Sequence, residues 1–182
     1  MNEKREKIKH SVLQKINSLT DEEIKNNRIF TLTAPTGTGK TLTSICAALL
    51  LAKRIKKIYG CSPRFITALP FINILEQTKD DYKGIFGDVL VQYSASEYEG
   101  NKDIPLKDRL LLTNAWEDHV IITTFVQFFE SILSSQNSRI LKVNKLSGSI
   151  IILDEIQALP AKYYPLLGTV IKRISEYYGA WF

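Results

Sequence analysis

Apolar residues recur along this chain at two different periods, and the change from one to the other marks its elements. Between Glu3 and Leu19, Ile8, Val12, Ile16 and Leu19 stand at helical spacing with charged residues between them. Thr20-Asp21-Glu22-Glu23 then carries the residue types of a capping box, which predicts a second, short helical segment. From Arg28 the pattern becomes strand, loop, helix, repeated. The β-prone runs are Ile29–Thr33, Arg64–Leu69, Val89–Tyr93, Val120–Thr123 and Ser149–Leu153. Helical spacing predicts helices over Thr41–Lys57, Phe71–Lys83, Lys107–Thr113, Phe125–Ser134 and Ala161–Tyr178. The polar stretch Ser94 to Pro105 reads as a loop.

The run Ser149-Ile150-Ile151-Ile152-Leu153 has the composition of a strand buried on both faces of a parallel sheet. Strands alternating with helices predict an α/β fold: a doubly wound, mostly parallel sheet with helices on both faces. Ligands then belong at the carboxyl ends of the strands. The expected organisation is a helical segment over residues 1–27 packed on a single lobe over residues 28–182.

One turn in this pattern carries chemistry. Ala34-Pro35-Thr36-Gly37-Thr38-Gly39-Lys40-Thr41 lies between the β-prone run Arg28 to Thr33 and the helix-prone run Leu42 to Lys57. A loop ending in Gly-Lys-Thr at a helix start is a phosphate cradle, with backbone N–H groups aimed at an anion and a lysine adding positive charge. Pro35, Thr36, Gly37, Thr38, Gly39, Lys40 and Thr41 are thus the candidate nucleotide contacts, and the Thr41 hydroxyl is a candidate Mg²⁺ ligand. Ala34 stands where this loop usually begins with glycine, at a position that does not require a positive φ.

The other half of an ATP site is an acid at the end of a buried strand, and Asp154-Glu155 follows the Ile-rich run directly. Asp154 can hold Mg²⁺ opposite Thr41, while Glu155 orients and deprotonates an attacking water. Two adjacent carboxylates at a strand end are costly to bury without a cation. Lys40, Asp154 and Glu155 are therefore the expected catalytic set, with ATP and Mg²⁺ as cofactors. The long separation of Lys40 from Asp154 leaves room for several β-α units, and no guanine-reading Asn-Lys-x-Asp motif is present. Motors with a RecA-like core remain.

Composition narrows this little. The 182 residues are 45% hydrophobic and 24% charged, the balance of an ordinary globular chain. A net charge of +5 suits a polyanionic partner, but the clusters at Lys4, Arg5, Lys7, Lys9 and Lys15 and at Lys53, Arg54, Lys56 and Lys57 equally suit solvated helix faces. Cys46 and Cys61 lack metal-site spacing, and Cys46 reads as a buried thiol. The longest apolar stretch, Ile45 to Ala52, is far short of a membrane span. The charged N-terminus lacks a signal-peptide core, so a cytoplasmic protein is expected.

Four blocks in order resemble one family. Asp154-Glu155-Ile156-Gln157-Ala158-Leu159-Pro160 is similar to the Walker B segment of superfamily 2 helicases, and most of all to that of the CRISPR-associated helicase-nuclease of type I interference systems. Ala68-Leu69-Pro70-Phe71-Ile72-Asn73-Ile74-Leu75-Glu76-Gln77-Thr78 matches its motif Ia, and Thr123-Thr124-Phe125-Val126-Gln127-Phe128-Phe129-Glu130-Ser131 resembles the motif after its fourth strand. With the phosphate loop, these blocks run from about residue 29 to residue 160. The resemblance implies that Pro70, Phe71, Thr123 and Thr124 line a single-strand path, gripping phosphates without reading sequence. Plain core packing for the phenylalanines and plain strand positions for the threonines are the competing readings. Gln157, where RNA-unwinding DEAD-box proteins carry an aspartate, would in the resembling family couple the ATP site to the DNA site or to the second lobe.

The resemblance further implies an ATP-dependent single-strand DNA translocase acting in CRISPR interference. Its partners would be single-stranded DNA, an RNA-guided surveillance complex, a second RecA-like lobe and a nuclease domain. The second lobe's Ser-Ala-Thr motif and a nuclease's His-Asp cluster are absent from this sequence. The chain is thus expected to be the first lobe of a longer protein, slow at hydrolysis by itself for want of arginines from the second lobe. His119 is expected to be structural. Two other readings stand: a different superfamily 2 helicase or restriction-type translocase, and a nucleotide-binding interaction module.

Overall fold

The computed structural model describes residues 2–87, 89–92, 115–133 and 142–182. The predicted helix Lys107–Thr113 and the loop Ser94 to Pro105 lie outside these residues. The rest divides into two units, residues 1–63 with Trp181–Phe182, and Arg64–Ala180.

In the first unit, helix α1 (Asn2–Ser18) packs against helix α3 (Lys40–Tyr59), with the short α2 (Asp21–Asn26) between them in sequence. The predicted capping box is present: Thr20 Oγ1 accepts from Glu23 N–H at 3.1 Å, and Thr20 N–H donates back to the Glu23 carboxylate at 2.7 Å. Arg54 of α3 ties the turn between α1 and α2, donating to the carbonyls of Asn17 and Leu19 and to Asp21 Oδ1 at 2.7 Å. Ile16, Ile24, Ile45, Ala48, Leu51 and Ile55 form the apolar interior. Trp181 closes it, its indole N–H donating to the Ile24 carbonyl at 2.9 Å with Tyr59 edge-on and the Arg28 guanidinium over the ring. Cys46 is half-buried rather than buried, because it lies beside the packed stripe of α3.

The predicted strand Ile29–Thr33 does not form as a sheet strand. Phe30 N–H instead donates to the Phe182 carbonyl at 2.8 Å, and Phe182 N–H donates to the Arg28 carbonyl at 2.7 Å. Ile29, Thr31 and Thr33 are exposed while Phe30 and Leu32 are half-buried. The period-2 pattern is real, but it serves a short pairing with the chain's last residues.

Among the described residues the second unit is built on four parallel strands: β1 (Phe65–Leu69), β2 (Leu90–Gln92), β3 (Val120–Thr124) and β4 (Ile150–Leu153), in the order β2-β3-β1-β4. Helix α4 (Ile72–Phe86) follows β1, helix α5 (Phe125–Leu133) follows β3 without a break, and helix α6 (Tyr164–Tyr178) ends the unit. Alternation along the strands assigns the faces. Phe65 and Thr67 meet α4, through the Phe65–Phe86 ring contact and a 2.7 Å hydrogen bond between the Thr67 and Tyr82 hydroxyls. Gln92 and its register partner Thr123 stand on the other face, where Trp116 bonds Gln92 and stacks on Phe128 of α5. Helices therefore cover both faces, as a doubly wound α/β fold requires.

β1 and β3 are buried at every position, whereas Ile152 and Leu153 of β4 are only half-buried. The expectation of a strand buried on both faces is corrected for this end, because β4 pairs with β1 alone among the described strands. Leu167, Val170 and Ile174 of the α6 stripe pack inward, with Ile171 and Tyr178 at its half-buried margin. His119 engages its neighbours through its carbonyl, which accepts from Phe65 N–H at 2.8 Å, while its side chain is exposed. Among the described residues no helix is long and apolar enough to cross a membrane.

Candidate nucleotide site

The phosphate loop belongs to the first unit, and its shape follows from two glycines. Gly37 (φ 74°) and Gly39 (φ 77°) both occupy the left-handed region, where a side chain would strain the backbone. Neither has an atom within 4 Å of where a Cβ would stand, so backbone conformation alone demands glycine here. Ala34 needs no such freedom and has no positive φ. The Thr38 hydroxyl donates to the Pro35 carbonyl at 2.7 Å, closing the turn, and Arg5 Nε of α1 donates to the Gly37 carbonyl at 3.0 Å.

Gly39 is the N-cap of α3, and its carbonyl accepts the first helical bond, from Thr43 N–H at 3.0 Å. No side chain caps this end and no acid stands in its first turn, so the positive pole of a 20-residue helix opens at the loop. Lys40 and Thr41 are half-buried, Pro35, Thr36 and Gly37 exposed, and Thr38 and Gly39 half-buried. This donor set fits a polyphosphate: backbone N–H groups, a lysine, a hydroxyl, and no competing carboxylate in the loop.

The acidic pair belongs to the second unit. The ladder between β1 and β4 runs one bond past the strand, from Asp154 N–H to the Ala68 carbonyl at 3.1 Å, and this fixes Asp154 at the carboxyl edge. Glu155 then turns into the left-handed region (φ 55°, ψ 38°), an uncommon conformation for a residue with a side chain. Its N–H donates to Asp154 Oδ1 at 2.9 Å, and its carboxylate accepts from the Gln157 side-chain amide. Asp154 and Glu155 are half-buried and Gln157 is exposed. Hard carboxylate oxygens at a strand end suit Mg²⁺. Burial pushes the Tyr82 phenol well above its ordinary value; the Thr67 hydrogen bond opposes this and the nearby Asp154 charge adds to it.

The other candidate residues line the same edge. Register sets Leu69 beside Thr124 and Ala68 between Thr123 and Leu153, so the ends of β3, β1 and β4 stand in a row. Pro70 is half-buried and Phe71, the N-cap of α4, is 57% exposed, so core packing does not describe it. Phe125 and Phe128 are buried. Thr124 is buried, and its hydroxyl caps α5 by accepting from Gln127 N–H at 3.2 Å. Thr123 is wholly enclosed, and its hydroxyl has no hydrogen-bond partner among the described residues. Beside it on β2, Gln92 accepts from Trp116 and from the buried Lys142 at 2.9 Å. Sequence reading missed this buried polar group, since residues so far apart share no spacing signal.

The family described as "Type III restriction enzyme, res subunit" matches residues 1–180. A CRISPR-associated nuclease/helicase Cas3 from Haloferax volcanii is 29% identical over 196 aligned residues, which cover 98% of this chain and 21% of that protein. The chain thus spans about a fifth of the length of that curated relative. The match along almost all of its residues shows that the chain belongs to the family of the res subunit of type III restriction enzymes.

Proposed function

We propose that this chain is the nucleotide-binding first lobe of an ATP-dependent single-strand DNA translocase that works in CRISPR interference. The observation that carries the reading is the phosphate loop: two left-handed glycines opening into α3 with no side-chain cap and no acid. Pro35, Thr36, Gly37, Thr38 and Gly39 would offer backbone donors to the phosphates of ATP, and Lys40 its ammonium. Thr41 and Asp154 would hold Mg²⁺, which when bound neutralises phosphate charge. Glu155 would take the proton of the attacking water, its carboxylate oriented by the Gln157 amide. The same contact gives Gln157 a means of coupling nucleotide state to the nucleic-acid edge.

That edge supports a strand path. The N-termini of α4 and α5 both open at the carboxyl side of the sheet, suited to successive phosphates. Exposed Phe71 offers a stacking face there with Pro70 beside it, while Thr124 fixes the start of α5 and Thr123 backs it from inside. The organisation proposed is a helical segment over 1–27 on a RecA-like lobe over 28–182. The name of the Haloferax volcanii relative, a CRISPR-associated nuclease/helicase, supports a nuclease domain and a CRISPR role for the whole protein; a second RecA-like lobe, an RNA-guided surveillance complex and a cytoplasmic place are part of the same proposal.

Equilibrium binding of Mg·ATP to the chain and to Lys40→Ala tests the reading. The variant is expected to keep the fold and lose binding by ~100-fold or more, since the charged donor is removed and Lys40 is not in the core. Equal affinity of the two proteins would remove the nucleotide assignment. DNA binding is expected to be sequence-blind and to fall steeply with salt.

A further inference from the structure

We infer that Arg5 of α1 is a positioning residue for the phosphate loop, fixing the peptide between Gly37 and Thr38 so that its N–H faces the nucleotide. The inference rests on the nucleotide reading above. Arg5 is one of the basic residues on α1 that composition alone leaves as a solvated face. Among the described residues of that cluster, its side chain alone hydrogen-bonds another element, with Nε donating to the Gly37 carbonyl at 3.0 Å. Both partners lie in the first unit.

The consequence follows from peptide geometry. In a trans peptide the carbonyl and the N–H point in opposite directions, and no peptide bond among the described residues is cis. Drawing the Gly37 carbonyl toward α1 therefore sends the Thr38 N–H to the other side of the loop. Gly37, at φ 74°, has the backbone freedom to let this peptide turn over. A turned-over peptide would present a carbonyl to the phosphates, and so repel them. The charged donor makes the favoured orientation stronger than a neutral one would. The Thr38 hydroxyl holds the Pro35 carbonyl in a parallel way, so two loop carbonyls are each pinned by a side chain.

No carboxylate pairs with Arg5 among the described residues, so its positive charge is not neutralised at the loop. The α1 helix thus does more than cover α3. It preorganises the anion-binding turn.

The test compares Mg·ATP and Mg·ADP affinity of the 182-residue chain with that of Arg5→Ala and Arg5→Lys, alongside urea unfolding without nucleotide. Arg5→Ala is expected to weaken both nucleotides about tenfold, with an unchanged unfolding midpoint because Arg5 is exposed. Arg5→Lys, which keeps one charged donor, is expected to recover most of the loss. Affinity within about twofold of wild type in Arg5→Ala overturns the inference. So does a loss that Arg5→Lys leaves unrepaired while the unfolding midpoint drops, since that is a packing role. If Lys40→Ala also binds like wild type, the nucleotide reading itself has failed; if Lys40→Ala loses binding and Arg5→Ala does not, the failure is confined to Arg5.

Discussion

The phosphate loop and the acidic turn each place residues in the left-handed region, yet they fill it differently. Gly37 and Gly39 do so at φ 74° and 77° without steric cost, while Glu155 does so at φ 55° with a full side chain. On the proposed function the loop would contribute backbone donors, so a side chain at those positions adds nothing. The acidic turn would contribute a carboxylate, which the strained conformation would aim. Strain of this kind persists where surrounding structure holds it, here the Asp154 ladder bond to β1 and the Gln157 amide. On that proposal the chain uses conformational freedom where backbone would bind and tolerates strain where a side chain would act.

Substitution at these two turns should move stability in opposite directions. Gly39→Ala is expected to destabilise by about 1–2 kcal/mol in urea unfolding and to weaken ATP binding as well. Because open space surrounds that position, the whole effect is backbone conformation, and a neutral result would show that the loop can readjust. Glu155→Gly is expected to stabilise by about 1 kcal/mol, since relief of the left-handed strain outweighs the loss of its exposed hydrogen bond with Gln157. The gain would come with a complete loss of hydrolysis in a protein that carries both lobes. A destabilised Glu155→Gly would mean that the side chain, not its removal, favours this turn.

A smaller effect probes the scaffold under the loop. The hydrogen bond from Arg54 holds the Asp21 carboxyl below its ordinary value of 3.8, with the Arg54 charge and the nearby lysines adding to it against slight desolvation. A depressed folded-state value contributes stability above the unfolded value, and that contribution is lost as pH falls through the folded one. Asp21→Asn should therefore lower the neutral plateau of a stability profile slightly and flatten the acid limb below about pH 4, where the two proteins converge. An acid limb identical to wild type would show that the pair contributes nothing.

The same contrast explains what the sequence disclosed. The Gly-x-Gly-Lys-Thr turn, the Thr20 capping box and the helix starting near Thr41 are local, and their residue types state their backbone needs. Strands β1, β3 and β4 were legible from β-branched runs because burial at successive positions leaves that composition. Pairing partners were not. Ile29–Thr33 reads as a sheet strand by alternation, yet its hydrogen bonds go to Phe182 and Arg28, a choice made by residues at the far end of the chain. The half-burial of Ile152 and Leu153 depends on which strands flank β4, and no run of isoleucines carries that information. Thr123 and Thr124 are adjacent and chemically identical, but one is enclosed with no hydrogen-bond partner among the described residues and the other caps a helix; pleat alternation separates them only once the register is known. Arg5 looked like any cation on a solvated helix, and only packing of α1 against α3 brings it to Gly37.

The central proposal is that the loop ending at Thr41 and the turn beginning at Asp154 would serve one Mg·ATP. It is tested most directly by measuring ATP affinity with and without Mg²⁺ in wild type and in Asp154→Asn. The account predicts that Mg²⁺ tightens binding to wild type by about tenfold or more, and that Asp154→Asn abolishes this gain while binding metal-free ATP as before. A Mg²⁺ gain that survives intact in Asp154→Asn would contradict it.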